Sequence, residues 1–308
     1  MLTITIISRK GAIQQSRTER NDRPDRPSTQ ISTHPLRNSM KIIEEKIVGK
    51  HSQETCEDGI VVTDNFIAVI DGSTSKTARQ IKPGINNGRY CMQLISAFIQ
   101  TMDANISCIE FCQQITQTIQ QTYRNCGIEI GRLKDHPVER LTASAIICSH
   151  QRQEIWMVGD CQCIANHQYV DNPKPYEKTL AEERATIAQH LIKQGKKVEE
   201  LREKDDARQR ILPSLIQSCK EQNISYPVID GFHIPISYVK IIHLNCPEVV
   251  FASDGYPFLK ATIEESERAL QQQLETDPLN IYTFQATKGW MKGNVSFDDR
   301  AYIRFLIE

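Results

Sequence analysis

The residues of this chain best suited to chemistry are acids placed at the ends of apolar runs. Residues 57–72 read Glu-Asp-Gly-Ile-Val-Val-Thr-Asp-Asn-Phe-Ile-Ala-Val-Ile-Asp-Gly, two apolar runs joined by a short polar turn, which is the pattern of a β-hairpin. With Asp64-Asn65 as a two-residue turn, Asp58 falls directly opposite Asp71. Opposed side chains on such a ladder lie about 5 Å apart, so two carboxylates there, with Glu57 adjacent, repel unless one is protonated or a cation lies between them. The pattern recurs: the apolar run 249–252 ends in Ser253-Asp254-Gly255, and Phe297-Asp298-Asp299 opens the alternating run 301–307. A lone Asp-Gly is usually a turn. Repeated acids at strand ends, which antiparallel neighbours bring to one sheet edge, predict an oxygen-lined cage instead.

Such a cage selects hard cations, Mg²⁺ or Mn²⁺, over zinc, which favours thiolate and imidazole. No EF-hand loop is present, and ligands from three distant segments suit a rigid catalytic site better than a calcium buffer. Two ions held there would acidify a shared water and neutralise an attacked phosphoryl group, the logic of two-metal hydrolysis.

The elements that must position these acids form a mixed pattern. From residue 40 onward, short β-like runs alternate with helical stretches, and most strands are joined by short turns, which predicts an α+β fold with antiparallel pairing. Strands are expected at 41–48, 59–62, 66–70, 143–149, 154–158, 161–169, 238–244, 249–252 and 301–307. Helices are expected at 88–102, 106–123, 179–194, 205–221 and 262–274, the last opening with a capping box at Thr262 and Glu265. Residues 11–39 are rich in Arg, Asp, Gln, Ser, Thr and Pro with no apolar period, so residues 1–39 read as a disordered N-terminal tail and 40–308 as the folded domain.

Composition narrows the partners. The 308 residues are 39% hydrophobic, enough for a large core. With 37 basic against 38 acidic residues and a pI near 6.7, no positive field steers the chain to nucleic acid or an anionic membrane. The first apolar run, residues 2–7, is far short of the roughly 20 residues that span a bilayer and lacks the features of a secretory signal, so a cytoplasmic protein is expected. The ten cysteines include no Cys-x-x-Cys and read as reduced core residues rather than disulfides or zinc ligands.

In order and spacing the motifs resemble the PPM, or type 2C, protein serine/threonine phosphatases, over roughly residues 40–308. The family's Glu-Asp matches Glu57-Asp58, its Asp-Gly matches Asp71-Gly72, and its small-residue strand motif is similar to Thr142-Ala143-Ser144-Ala145. Its Gly-Asp matches Gly159-Asp160, its Ser-Asp-Gly matches Ser253-Asp254-Gly255, and its final acidic pair matches Asp298-Asp299. The resemblance implies a four-layer α-β-β-α sandwich, two antiparallel sheets flanked by helices, with two Mg²⁺ or Mn²⁺ ions in a cleft at one end. By the same resemblance Asp71 bridges both ions, the Gly72 carbonyl ligates one, and Asp58, Asp254 and Asp298 complete the spheres. Glu57 holds metal-bound water, and Asp160 joins a third, weaker metal site. The mostly helical insert at about 172–233 corresponds to the family's flap, and the implied substrate is a phosphoserine or phosphothreonine protein.

Two departures stand out. Where many members read Asp-Gly-His-Gly-Gly, this chain reads Asp71-Gly72-Ser73-Thr74-Ser75, so the histidine that protonates the leaving alcohol is absent, and an alcohol is a poor substitute near neutral pH. Bacterial-type members often lack it too. The phosphate-gripping arginine expected four residues before Glu57 is Gln53 here, with Lys50 and His51 nearby. These departures define the alternative, a pseudophosphatase or binding module that keeps the fold and metal site.

Overall fold

Alternation along the strands decides the layering of this chain, seen in a computed structural model that describes residues 40–307. The tail expected over residues 1–39 lies outside the described residues. One sheet has the order β1 (Met40–Val48), β10 (Arg300–Ile307), β9 (Glu248–Ala252), β6 (Gln162–Ala165), β7 (Gln168–Val170). The other runs β2 (Asp58–Val62), β3 (Phe66–Gly72), β4 (Ala143–Ser149), β5 (Glu154–Val158), β8 (Lys240–His243). Every pairing is antiparallel.

Successive side chains of a strand point to opposite faces, and β3 uses both. Ile67 and Val69 pack with Ile146, Met157, Phe251, Ile303 and Phe305 in the layer between the sheets. Phe66, Ala68 and Ile70 face the opposite way and pack with Trp156 against helices α1 (Asn87–Thr101) and α2 (Cys108–Asn125). Each large apolar side chain fully buried in these layers stabilises the fold by about 1.5–3 kcal/mol. The outer face of the first sheet carries Val250, Ala252 and Tyr302, which pack with Tyr256, Leu259 and Ile263. Ile263 opens α7 (Ile263–Thr276), whose first turn meets β1 through the Ile263 amide and Glu44 Oε2 at 3.2 Å. The order helix, sheet, sheet, helix is the four-layer α+β sandwich expected from the motifs.

Three local expectations change. The run 161–169 is a hairpin, not one strand: β6 turns into β7 at Asn166 and His167, which take φ of 52° and 62°. A pair of positive-φ residues matches the twist of a two-residue hairpin, and Asn is among the few residues that enter that region readily. Between β7 and β8 lie α4 (Glu177–Lys193), α5 (Val198–Glu203) and α6 (Asp206–Ser218), one helix more than expected, and α3 (Ile130–Asp135) was likewise not foreseen. Helices of six residues are too short to display an apolar period.

The α4–α6 insertion is fastened from inside by Arg184, which is wholly buried. Its guanidinium donates to Asp205 Oδ2 at 3.0 and 2.7 Å and to the carbonyls of Leu279 and Ala286 at 2.8 and 3.0 Å. Asp205 in turn caps α6 by accepting from the Arg208 amide at 2.8 Å. The ten cysteines are all free and mostly buried, as read. Among the described residues no helix is long and apolar enough to cross a membrane.

Candidate metal centre

The hairpin expectation sets the geometry. The β2–β3 ladder pairs Asp58 with Asp71, and Thr63 donates to the Phe66 carbonyl at 2.8 Å, so Asp64 and Asn65 form the two-residue turn. Neither turn residue has positive φ. The Thr63 hydroxyl instead accepts from the Asn65 and Phe66 amides at 3.3 and 2.9 Å, a side-chain closure that substitutes for an Asn-Gly turn. Because Ile60 and Val69 point between the sheets, so do the paired Asp58 and Asp71, at the end of that layer.

The other acids reach the same end by similar local logic. Asp254 follows β9, Asp298 and Asp299 precede its neighbour β10, and Asp160 stands where the chain leaves β5 in one sheet to enter β6 in the other. Gly72 and Gly255 are close-packing residues rather than turn makers. A Cβ on Gly255 would lie 2.0 Å from the Asp299 carbonyl oxygen, and one on Gly72 would lie 2.5 Å from that of Gly88 and 2.6 Å from that of Glu57. Each Asp-Gly thus lets one acid-bearing strand end press against the backbone carrying another.

Asp71, Gly72, Asp254 and Asp298 line one cleft of ≈ 620 Å³. Asp160, Glu177 and Asp254 offer oxygens within 4.8 Å of one another at its side. Glu57 and Asp58 are buried beneath, and Glu57 Oε1 and Asp58 Oδ2 have no hydrogen-bond partner among the described residues. All the acids read from the sequence therefore converge. Asp299 differs from Asp298: its carboxylate accepts from the amides of Lys50 at 2.7 Å and Glu57 at 3.2 Å, bracing the crossing from β1 to β2.

Crowding shows in the electrostatics. Burial, joined by the charges of Asp299 and Asp254 and opposed by a hydrogen bond from Ser253, pushes the Asp58 carboxyl up to about 8. Burial and then the charges of Asp254, Asp58 and Asp160 hold Asp71 well above the carboxylate range. Asp160 goes the other way: burial works against its charge, but Lys174 and a 2.5 Å hydrogen bond from the Ser144 hydroxyl keep it below its ordinary value. Carboxylates forced together and buried favour a bound cation.

Lysines already supply part of that positive charge, and of these the sequence reading singled out only Lys50. Lys50 Nζ lies 3.0 Å from Asp298, 3.2 Å from Asp299 and 3.7 Å from Glu57. Lys288 is paired with Asp298, and Lys174 with Asp160 and, at 3.6 Å, Glu177. Lys50 therefore belongs to the site, whereas His51 faces Asn294 and Gln53 Oε1 accepts from the Gly49 amide at 3.4 Å. Lys174 and Glu177 come from the start of the insertion and Lys288 from the loop before β10, segments without a motif to mark them. The buried, all-oxygen donor set, its two unpartnered oxygens and the surplus of acids over lysines fit divalent cations of the Mg²⁺ and Mn²⁺ type.

Comparison with known protein families and with curated proteins returns no match. Solved structures similar to this chain include the catalytic domain of the serine/threonine protein phosphatase PstP with two manganese ions, at 10% identity, covering 88% of this chain and 100% of that one, TM-score 0.41. RsbX with magnesium is similar at 12% identity, 87% and 100% coverage and TM-score 0.41. The serine/threonine phosphatase Stp1 of Staphylococcus aureus is similar at 15% identity, 88% and 97% coverage and TM-score 0.41. These proteins are of the PPM type that the motif order resembles.

Proposed function

We propose that this chain is a metal-dependent phosphatase of the PPM type that hydrolyses phosphate monoesters on serine or threonine side chains. The observation that carries the proposal is the convergence of Glu57, Asp58, Asp71, Asp160, Asp254 and Asp298 from separate strand ends, with Asp58 and Asp71 face to face. Asp58, Asp71, Asp254, Asp298 and the Gly72 carbonyl would hold two divalent ions, and Asp160, with Glu177 and Asp254, a further one. Such ions would supply positive charge for a phosphoryl group and would lower the pKa of a bound water.

The remaining chemistry falls to the protein. Glu57 Oε2 accepts from Thr74 Oγ1 at 2.8 Å, which fixes its carboxylate and leaves Oε1 free to orient a water. Ser73, where a histidine would serve as general acid, leaves the departing alkoxide without a strong proton donor, so esters with good leaving groups turn over fastest. Lys50, three residues before Gln53, is held by Glu57, Asp298 and Asp299 and so is not free to take over the grip of the missing arginine. The α4–α6 insertion beside the cleft acts as the flap that meets the phosphoprotein.

One observation favours the alternative of a binding-only protein: three lysines already pair with the acids. Hydrolysis of an aryl phosphate by the purified chain, with and without Mn²⁺, separates the two. Turnover that requires Mn²⁺ supports the enzyme; metal binding with no turnover of aryl or alkyl esters rejects it.

A further inference from the structure

The cleft beside the carboxylates is lined by four cationic side chains, and they fall into two kinds. Lys174 and Lys288 are paired with acids. Lys76 and Arg208, which line the same cleft, have no carboxylate within ion-pair distance among the described residues. Leaving cations unpaired in partly buried positions is costly. The Arg208 guanidinium spends one nitrogen on the Thr287 carbonyl at 2.5 Å and Thr287 Oγ1 at 3.4 Å, and its other donors have no partner among the described residues. Asp205, the N-cap of α6, is committed to Arg184 and to capping the helix, and Asp206 in its first turn is paired with Lys196 and Lys204.

The electrostatics agree with an uncompensated pair. Burial holds the Lys76 ammonium below the usual lysine range, and the charges of Lys174 and Arg208 push the same way, against Cys219 and Glu177. Burial also lowers Arg208, with Arg184 adding to it and Asp205 opposing. Lys76 ends the run Ser73-Thr74-Ser75, whose small hydroxyl side chains leave β3 directly after Asp71 and Gly72. Arg208 comes from α6 of the insertion, so two separate segments place free cations on one cleft.

We propose that Lys76 and Arg208 form an oxyanion subsite that grips the phosphoryl group of the substrate, and the phosphate released from it, in place of the arginine replaced by Gln53. The assignment of the anion to the reacting group rests on the phosphatase function proposed above; the anion site itself rests on the two unpaired cations. A guanidinium offers parallel N–H donors and a lysine a compact charge, a combination suited to a tetrahedral anion with several acceptor oxygens. Grip from α6 makes substrate binding depend on the position of the insertion.

The test measures binding of inorganic phosphate to the full chain with Mn²⁺ present, by calorimetry, for wild type, Lys76→Met, Arg208→Gln and the charge-keeping Lys76→Arg and Arg208→Lys. Each neutral variant should weaken phosphate by about tenfold or more, the loss expected for one charge-assisted contact, and raise KM for a singly phosphorylated peptide more than it lowers kcat. Charge-keeping variants should recover part of the affinity. Lys76→Met removes a costly buried charge and should keep its melting temperature, so a loss of binding there is not unfolding. Phosphate binding that both neutral variants leave unchanged overturns the subsite even if wild type hydrolyses esters. Weakened phosphate binding in a chain that shows no turnover sustains the subsite and sinks only the enzyme. A loss confined to doubly phosphorylated peptides overturns the assignment to the reacting phosphoryl group.

Discussion

Asp58 and Asp71 face each other across the β2–β3 ladder, in the register set by the two-residue turn at Asp64 and Asn65. Two crowded carboxyls in that relation would both serve as ligands to a divalent cation. Asp71→Asn keeps the size and removes one charge, so Mn²⁺-dependent hydrolysis should fall by about two orders of magnitude or more. The melting temperature without metal should hold or rise, because replacing one of the crowded acids relieves repulsion. Steady-state kinetics and a thermal melt check both halves; unchanged turnover would remove Asp71 from the site.

Metal binding should compete with lysine. Mn²⁺ should raise the melting temperature, with stabilisation of about 2.7 kcal/mol at a hundredfold excess over Kd. Because Lys288 is paired with Asp298, Lys288→Met should lower the Mn²⁺ concentration that gives half the full shift. A titration read by differential scanning fluorimetry measures this, and an immobile melting curve at millimolar Mn²⁺ would reject the cage.

The insertion should depend on one buried ion pair. Removing Arg184 leaves Asp205 buried and unpaired, and Arg184→Met should cost on the order of 3–5 kcal/mol in a urea titration. Adding Asp205→Asn should recover part of that loss, since the stranded charge is gone. Equal stability of the single and double variants would show that the carbonyl contacts of Arg184 matter more than the pair.

Acid should loosen the α7 face. Burial disfavours the Glu267 charge, but Arg300 donates to it at 2.8 and 2.9 Å and Tyr256 at 2.6 Å, and together they hold its carboxyl at about 2. A lowered folded-state pKa means that this stabilisation is present above the ordinary value of 4.5 and is lost as pH falls from there toward 2. Solvent screening of this partly exposed carboxyl brings the loss to on the order of 1–2 kcal/mol across that window. In Glu267→Gln the same urea midpoints should change less with pH; an identical slope would place the acid sensitivity elsewhere.

The hairpin, its register and the acids at its ends were legible in the sequence, because strand period and turn length are local properties that act over a few residues. The six ordered motifs marked Glu57, Asp58, Asp71, Asp160, Asp254 and Asp298 through their resemblance to the PPM family, Asp160 by that resemblance alone, and the alternation of Phe66 to Ile70 already divided one face from the other. The Asn166-His167 turn escaped because its flanking runs form one unbroken stretch of β-prone residues, and α3 and α5 because a helix of six residues has no visible period.

Only the tertiary structure decided which cations meet those acids. Lys50 reaches Asp298 across 248 positions of sequence, and Arg208 shares a cleft with Lys76 from a different layer of the molecule. Nothing in the residues around Lys76, Lys174, Arg208 or Lys288 separates a buried site lysine or arginine from an exposed one. Their charges acquire a role when two sheets close on a shared apolar layer and bring strand ends and the insertion together. That closure is set by non-local packing, whereas the acids were announced by the local pattern of the strands that carry them.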